Sequence, residues 1–109
     1  MMHVILALLA ATAATPKPAA VVHIENFAYH AASVTVHAGD SVEFVNDDDE
    51  AHTITATDKA FDSEGLDGSG TWQHVFTKSG TFHYFCELHP YMKATIVVLA
   101  SAIPATSAK

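Results

Sequence analysis

The segment Cys86-Glu87-Leu88-His89-Pro90-Tyr91-Met92 carries a thiol, an imidazole and a thioether at C-x2-H-x2-M spacing. Two-residue gaps in a tight loop let three side chains converge on one point. Soft sulfur combined with a borderline nitrogen selects copper, and zinc to a lesser degree, over hard cations. Two His, one Cys and a weak axial Met is the donor set of an electron-transfer copper site. The second His must come from elsewhere. His52 is the candidate, because it opens a β-branched segment directly after the acidic loop Asp47-Asp48-Asp49-Glu50. Each residue has a plainer reading. A lone Cys is usually a small buried hydrophobe, and a Met is usually core. The joint spacing favours ligation by His52, Cys86, His89 and Met92.

The elements that must position these residues are short strands. Between Val21 and Ala100 the pattern has period two, broken by turn residues, and no amphipathic helix is sustained. Strands are expected at 21–25, 33–37, 41–46, 52–57, 71–77, 81–86 and 93–99, with 58–70 a long Gly-containing excursion. About seven to eight strands with regular turns predict an all-β, Greek-key β-sandwich, whose end loops carry function. Trp72, Phe44, Phe76, Phe82 and Tyr84 read as core aromatics. His23, His37 and His83 fall on outward parity. His74 shares a face with Trp72 and Phe76 and reads as a core His. His30 falls in a loop.

Composition narrows the function further. The chain has 109 residues, five Lys, no Arg and twelve Asp plus Glu, for a formal charge of −7. That balance argues against nucleic acid and anionic membrane surfaces. A hydrophobic fraction of 50% with 16% charged residues excludes a disordered chain. One Cys excludes an internal disulfide framework. Val4 to Ala11 is an apolar run followed by Ala11-Thr12-Ala13, the pattern of a signal peptide and its cleavage site. The run is too short to span a bilayer, which takes about 20 residues. The expected organisation is a signal peptide over 1–14, a linker over 15–20, the domain over 21–100 and a disordered tail over 101–109. Localisation is then periplasmic or extracellular, where a free thiol is at risk of oxidation unless buried or metal-bound.

With these residues in view, the sequence resembles the cupredoxins, the small blue copper proteins, and most of all their amicyanin and plastocyanin branch. The resemblance runs from about Val21 to Leu99 through Asn46, His52-Thr53, Gly80-Thr81-Phe82, Tyr84, Cys86, His89 and Met92. The short C-x2-H-x2-M loop is amicyanin-like. The resemblance implies an eight-strand Greek-key sandwich, one type 1 copper per chain and outer-sphere electron transfer. The eighth strand would lie in Asn26 to Ala31 or in the long excursion. Thr53 stands where family members often carry Asn, and Ala51 where a Pro is common. A Thr53 hydroxyl is expected to substitute across the ligand loops, with Asn46 and backbone N–H groups supporting the sulfur. His89 would be the electron port, and Leu88, Pro90 and Tyr91 an apolar rim for docking a redox protein. The acidic run is a solvated loop or a patch for a basic partner.

Competing functions are a copper store or chaperone with the same ligands, an oxidative copper enzyme, and a sandwich that has lost its metal. Stores use several Met or Cys, and outside the leader only Met92 remains. Copper oxidases need more sites and a larger chain. A soluble, monomeric, non-enzymatic electron carrier is the favoured reading.

Overall fold

The computed structural model describes residues 17–101. The expected signal peptide, part of the linker and nearly all of the tail lie outside the described residues. Among the described residues there are eight strands: β1 (Ala20–Glu25), β2 (Ala28–His30), β3 (Ser33–His37), β4 (Ser41–Asn46), β5 (Thr55–Ala56), β6 (Thr71–Val75), β7 (Gly80–Phe85) and β8 (Lys93–Leu99). They make two four-stranded sheets, ordered β2-β1-β4-β6 and β3-β8-β7-β5. β1 runs parallel to β4 and β3 parallel to β8; the other pairings are antiparallel. This is the expected all-β sandwich, and the eighth strand is β2, inside the Asn26 to Ala31 window.

Alternation decides which side chains meet. Val22 and Ile24 of β1, Val42 and Phe44 of β4, Tyr84 of β7, and Ile96 and Val98 of β8 are buried in one core. Burying each such side chain contributes about 1.5–3 kcal/mol. Trp72 and Phe82, read from sequence as core, are only partly buried and pack against its margin. His23, His30 and His83 are exposed. His74 is half-buried, stacked on Trp72 at 5.0 Å with Phe61 and Phe76 beside it.

The expected strand over 52–57 shrinks to Thr55–Ala56, for a physical reason. The Thr53 N–H donates to Cys86 Sγ at 3.3 Å, and the Ile54 N–H to Ser63 Oγ at 2.8 Å. Those donors are lost to a sheet ladder. His52 instead makes an isolated bridge to Leu66 in the long excursion. β6 stops at Val75 because the Phe76 N–H and carbonyl bond Asp40 and Gly39 in the β3–β4 turn. Gly39 supplies the positive φ, 98°, that this turn requires. β7 stops at Phe85 because the Cys86 N–H turns to the Met92 carbonyl. β1 starts at Ala20, one residue before the expected boundary.

Candidate metal centre

The loop from β7 to β8 is wound on itself by three backbone hydrogen bonds. The His89 N–H donates to Cys86 O at 3.2 Å, Met92 N–H to His89 O at 2.9 Å, and Cys86 N–H to Met92 O at 3.2 Å. This winding is what the two-residue gaps allow, and it gathers Cys86, His89 and Met92 at one end of the sandwich. His52 comes from a separate segment, held by reciprocal backbone bonds with Leu66 of 3.1 and 2.8 Å.

Cys86 Sγ lies 3.8 Å from His52 Nδ1 and 3.7 Å from His89 Nδ1. The three donor atoms all fall within 4.8 Å of one another. Metal bonds of about 2.3 Å to sulfur and 2.0 Å to nitrogen, opened to a trigonal angle, separate sulfur and nitrogen by about 3.7–3.8 Å. The three donors therefore fit a first-row metal ion. His52, Cys86 and Met92 are buried, while the His89 side chain keeps 21% of its surface exposed. Adding the Met92 thioether gives a soft, sulfur-rich donor set, the kind that copper prefers.

The residues around the donors are tied to one another. Besides the Thr53 N–H on the sulfur, Thr53 Oγ1 accepts the Glu87 N–H at 2.8 Å and pairs with Thr55 Oγ1 at 2.9 Å. The Thr53 carbonyl accepts the Tyr29 hydroxyl. The hydroxyl thus ties the segment carrying His52 to the loop that follows Cys86. Asn46 is buried but does not reach the sulfur. Its Nδ2 donates to Glu50 O at 2.8 Å and Leu66 O at 2.9 Å, so it fastens the acidic loop to the excursion. Among the described residues the hydrogen bond on the sulfur from outside the imidazoles is the Thr53 N–H.

Two neighbours were missed from sequence. His52 Nε2 donates to Asp48 Oδ2 at 2.8 Å. Phe27 sets its ring edge-on to His52 at 5.1 Å and to His89 at 4.9 Å. Burial opposes the charge on Asp48, but hydrogen bonds from Phe27 N–H, His52 and Asn26 N–H outweigh it and hold its carboxyl below the usual range. Position four before His52 was the only signal for Asp48, within a run of four acids. Around His89 the surface is apolar: Leu88 is 56% and Tyr91 68% exposed, with Pro90 exposed between them. Glu50 Oε2 stands 3.7 Å from His89 Nε2 at the rim.

Comparison with known proteins agrees with this geometry. A family model for the cupredoxin-like domain matches residues 1–98. Amicyanin of Paracoccus versutus is 31% identical over 93 residues, covering 81% of this chain and 70% of its own. Amicyanin of Paracoccus denitrificans is 28% identical over 93 residues, covering 81% and 71%. The crystal structure of Paracoccus versutus amicyanin superposes with a TM-score of 0.68 at 30% identity, over 77% of this chain and 84% of that one. A variant amicyanin in its Cu(I) form gives 0.71 at 26% identity, over 77% and 85%.

Proposed function

The chain belongs to the cupredoxin-like family, and from that premise we propose that it holds one copper ion between His52, Cys86, His89 and Met92 and carries single electrons between protein partners. The observation that carries this reading is the convergence of Cys86 Sγ with two Nδ1 atoms at 3.7–3.8 Å in a buried loop cluster. Copper bound there supplies a one-electron couple that tolerates one donor arrangement in both oxidation states.

The chain's own residues do the rest. The sandwich and the three backbone bonds of the Cys86–Met92 loop keep the donors from rearranging. Cys86 is shielded from oxidants by burial and by the Thr53 N–H on its sulfur. Phe27 packs edge-on against both imidazoles and limits their freedom to turn. The exposed edge of His89 is the exit for the electron, and Leu88, Pro90 and Tyr91 form a rim that desolvates readily against a partner. Acidic residues beside that rim, Glu50 among them, favour a partner with basic groups at the margin of its docking face. In this reading the protein is a monomer and not an enzyme.

The reading includes export: a signal peptide over 1–14, a linker over 15–20, a tail over 101–109, and a periplasmic or extracellular site of action. Among the described residues no helix is long and apolar enough to cross a membrane.

Voltammetry of the copper-loaded protein, run with and without a Cu(I) chelator, tests the reading. A reversible one-electron wave that survives the chelator supports it. Stoichiometric loss of Cu(I) to the chelator would instead mean a copper store or chaperone. For the rim, Leu88→Ala with Tyr91→Ala should slow electron self-exchange between copies, measured by NMR line broadening; an unchanged rate removes the rim from the account.

A further inference from the structure

The β1–β2 connection is a two-residue turn, since Glu25 pairs with Ala28. Its residues are Asn26 and Phe27, with φ of 54° and 57°. Such turns favour Asn followed by Gly. An aromatic residue in the left-handed region is uncommon and strained, so something must hold it there. The conformation is held by one side chain. Asp48 Oδ1 accepts the Asn26 N–H at 2.8 Å, and Oδ2 accepts the Phe27 N–H at 2.9 Å. The same Oδ2 accepts His52 Nε2–H at 2.8 Å. The Asp48 side chain is 12% exposed. Its own N–H donates to Asn46 Oδ1, whose amide is bonded in turn to Glu50 and Leu66. The adjacent Asp47 turns outward to His23, and Glu50 is 65% exposed. One acid of the four is thus built inward.

We infer that Asp48 is a positioning residue of the metal centre: its carboxylate fixes the His52 ring with Nδ1 toward Cys86 and anchors the turn that lays Phe27 against both histidines. A ligating imidazole whose far N–H meets a carboxylate is locked in one tautomer and is a stronger donor. A stronger nitrogen donor favours the more highly charged oxidation state. Asp48 therefore lowers the reduction potential and seals the site through one group. The redox half of this inference rests on the copper reading; the positional half does not.

The test is Asp48→Asn, whose amide offers one oxygen where the carboxylate offers two. With copper bound, the variant should lose about tenfold in the ratio of Cu(II) to Cu(I) affinity. That is a rise of about 59 mV for a one-electron couple. In the metal-free protein, the slowly exchanging His52 Nε2–H resonance seen by NMR should broaden or vanish in the variant. A folded, copper-loaded variant with unchanged potential and an unchanged Nε2–H signal overturns the inference. Should Asp48→Asn not fold, the unmodified protein decides. A protected His52 Nε2–H upholds the contact, and its absence refutes it. Because that resonance is read without copper, it separates failure of this inference from failure of the copper reading.

Discussion

Thr53→Val deletes one oxygen from the joint between the two ligand loops and leaves the shape nearly unchanged. In the native protein that oxygen, on the buried Thr53 side chain, accepts the N–H of Glu87, the residue after Cys86, at 2.8 Å. Thr55 keeps other partners, Asp62 at 3.1 Å and Glu87 Oε1 at 3.4 Å, so its hydroxyl is not orphaned. The Glu87 N–H is the group left without an acceptor. A stranded backbone donor costs about 1–3 kcal/mol. Glu87 sits at an exposed position, where water offers partial relief, so about 1.5 kcal/mol is the working figure. For a domain of this size that lowers Tm by roughly 6–12 °C. The local signature is sharper. Amide hydrogen exchange at Glu87 should accelerate about tenfold, since 1.4 kcal/mol is a factor of ten. Thr53→Ser keeps the hydroxyl and should keep Glu87 protected, even though it loses a methyl group. If the Val variant melts with the native protein and Glu87 exchanges at its native rate, the claim that Thr53 ties the loops is wrong.

Two buried tyrosines 4.8 Å apart should respond with opposite signs. The Tyr84 hydroxyl has no hydrogen-bond partner among the described residues, so Tyr84→Phe should stabilise by about 1 kcal/mol, whereas Tyr29→Phe, which forfeits the bond to Thr53 O, should destabilise by a similar amount in urea unfolding. A Cβ at Gly68 would meet Asp48 O at 2.7 Å and Asp49 O at 2.9 Å, so Gly68→Ala should cost about 1–3 kcal/mol and displace the backbone that presents Asp48. Burial against Phe61, Trp72 and Phe76 lowers the His74 pKa below its ordinary 6.5. The unfolded chain then takes up the proton first as pH falls, so the stability present above pH 6.5 is lost on acidification. His74→Phe should flatten the decline of Tm between pH 7 and 5, and an equally steep decline would show that His74 carries none of it.

How far the centre could be read in advance follows from the range of each interaction. Cys86, His89 and Met92 lie within seven residues and are wound together by bonds among themselves, so their spacing is a local signal. His52 was legible because a β-branched segment opens directly after an acidic loop. The truncation of β5 was not legible. Its cause is a Thr53 N–H bonded to a sulfur 33 residues away, and nothing in the alternation of 52–57 announces that diversion. Asn46 was legible as a residue of the site, but its bonds to the Glu50 and Leu66 carbonyls were not, because sequence pattern suggests burial without saying what a side chain bonds. Asp48 was hidden among identical neighbours. Which acid turns inward is decided by Asn26 and Phe27, 22 and 21 residues earlier in the chain, in a turn whose second residue is not one that favours positive φ.

Visible absorption and electron paramagnetic resonance of the protein titrated with Cu(II), beside Cys86→Ser, address the central claim most directly. The account predicts one copper per chain, an intense blue thiolate-to-copper band and a narrow copper hyperfine splitting, all absent in the serine variant. A protein that binds no copper, or a native spectrum that Cys86→Ser reproduces, would contradict it.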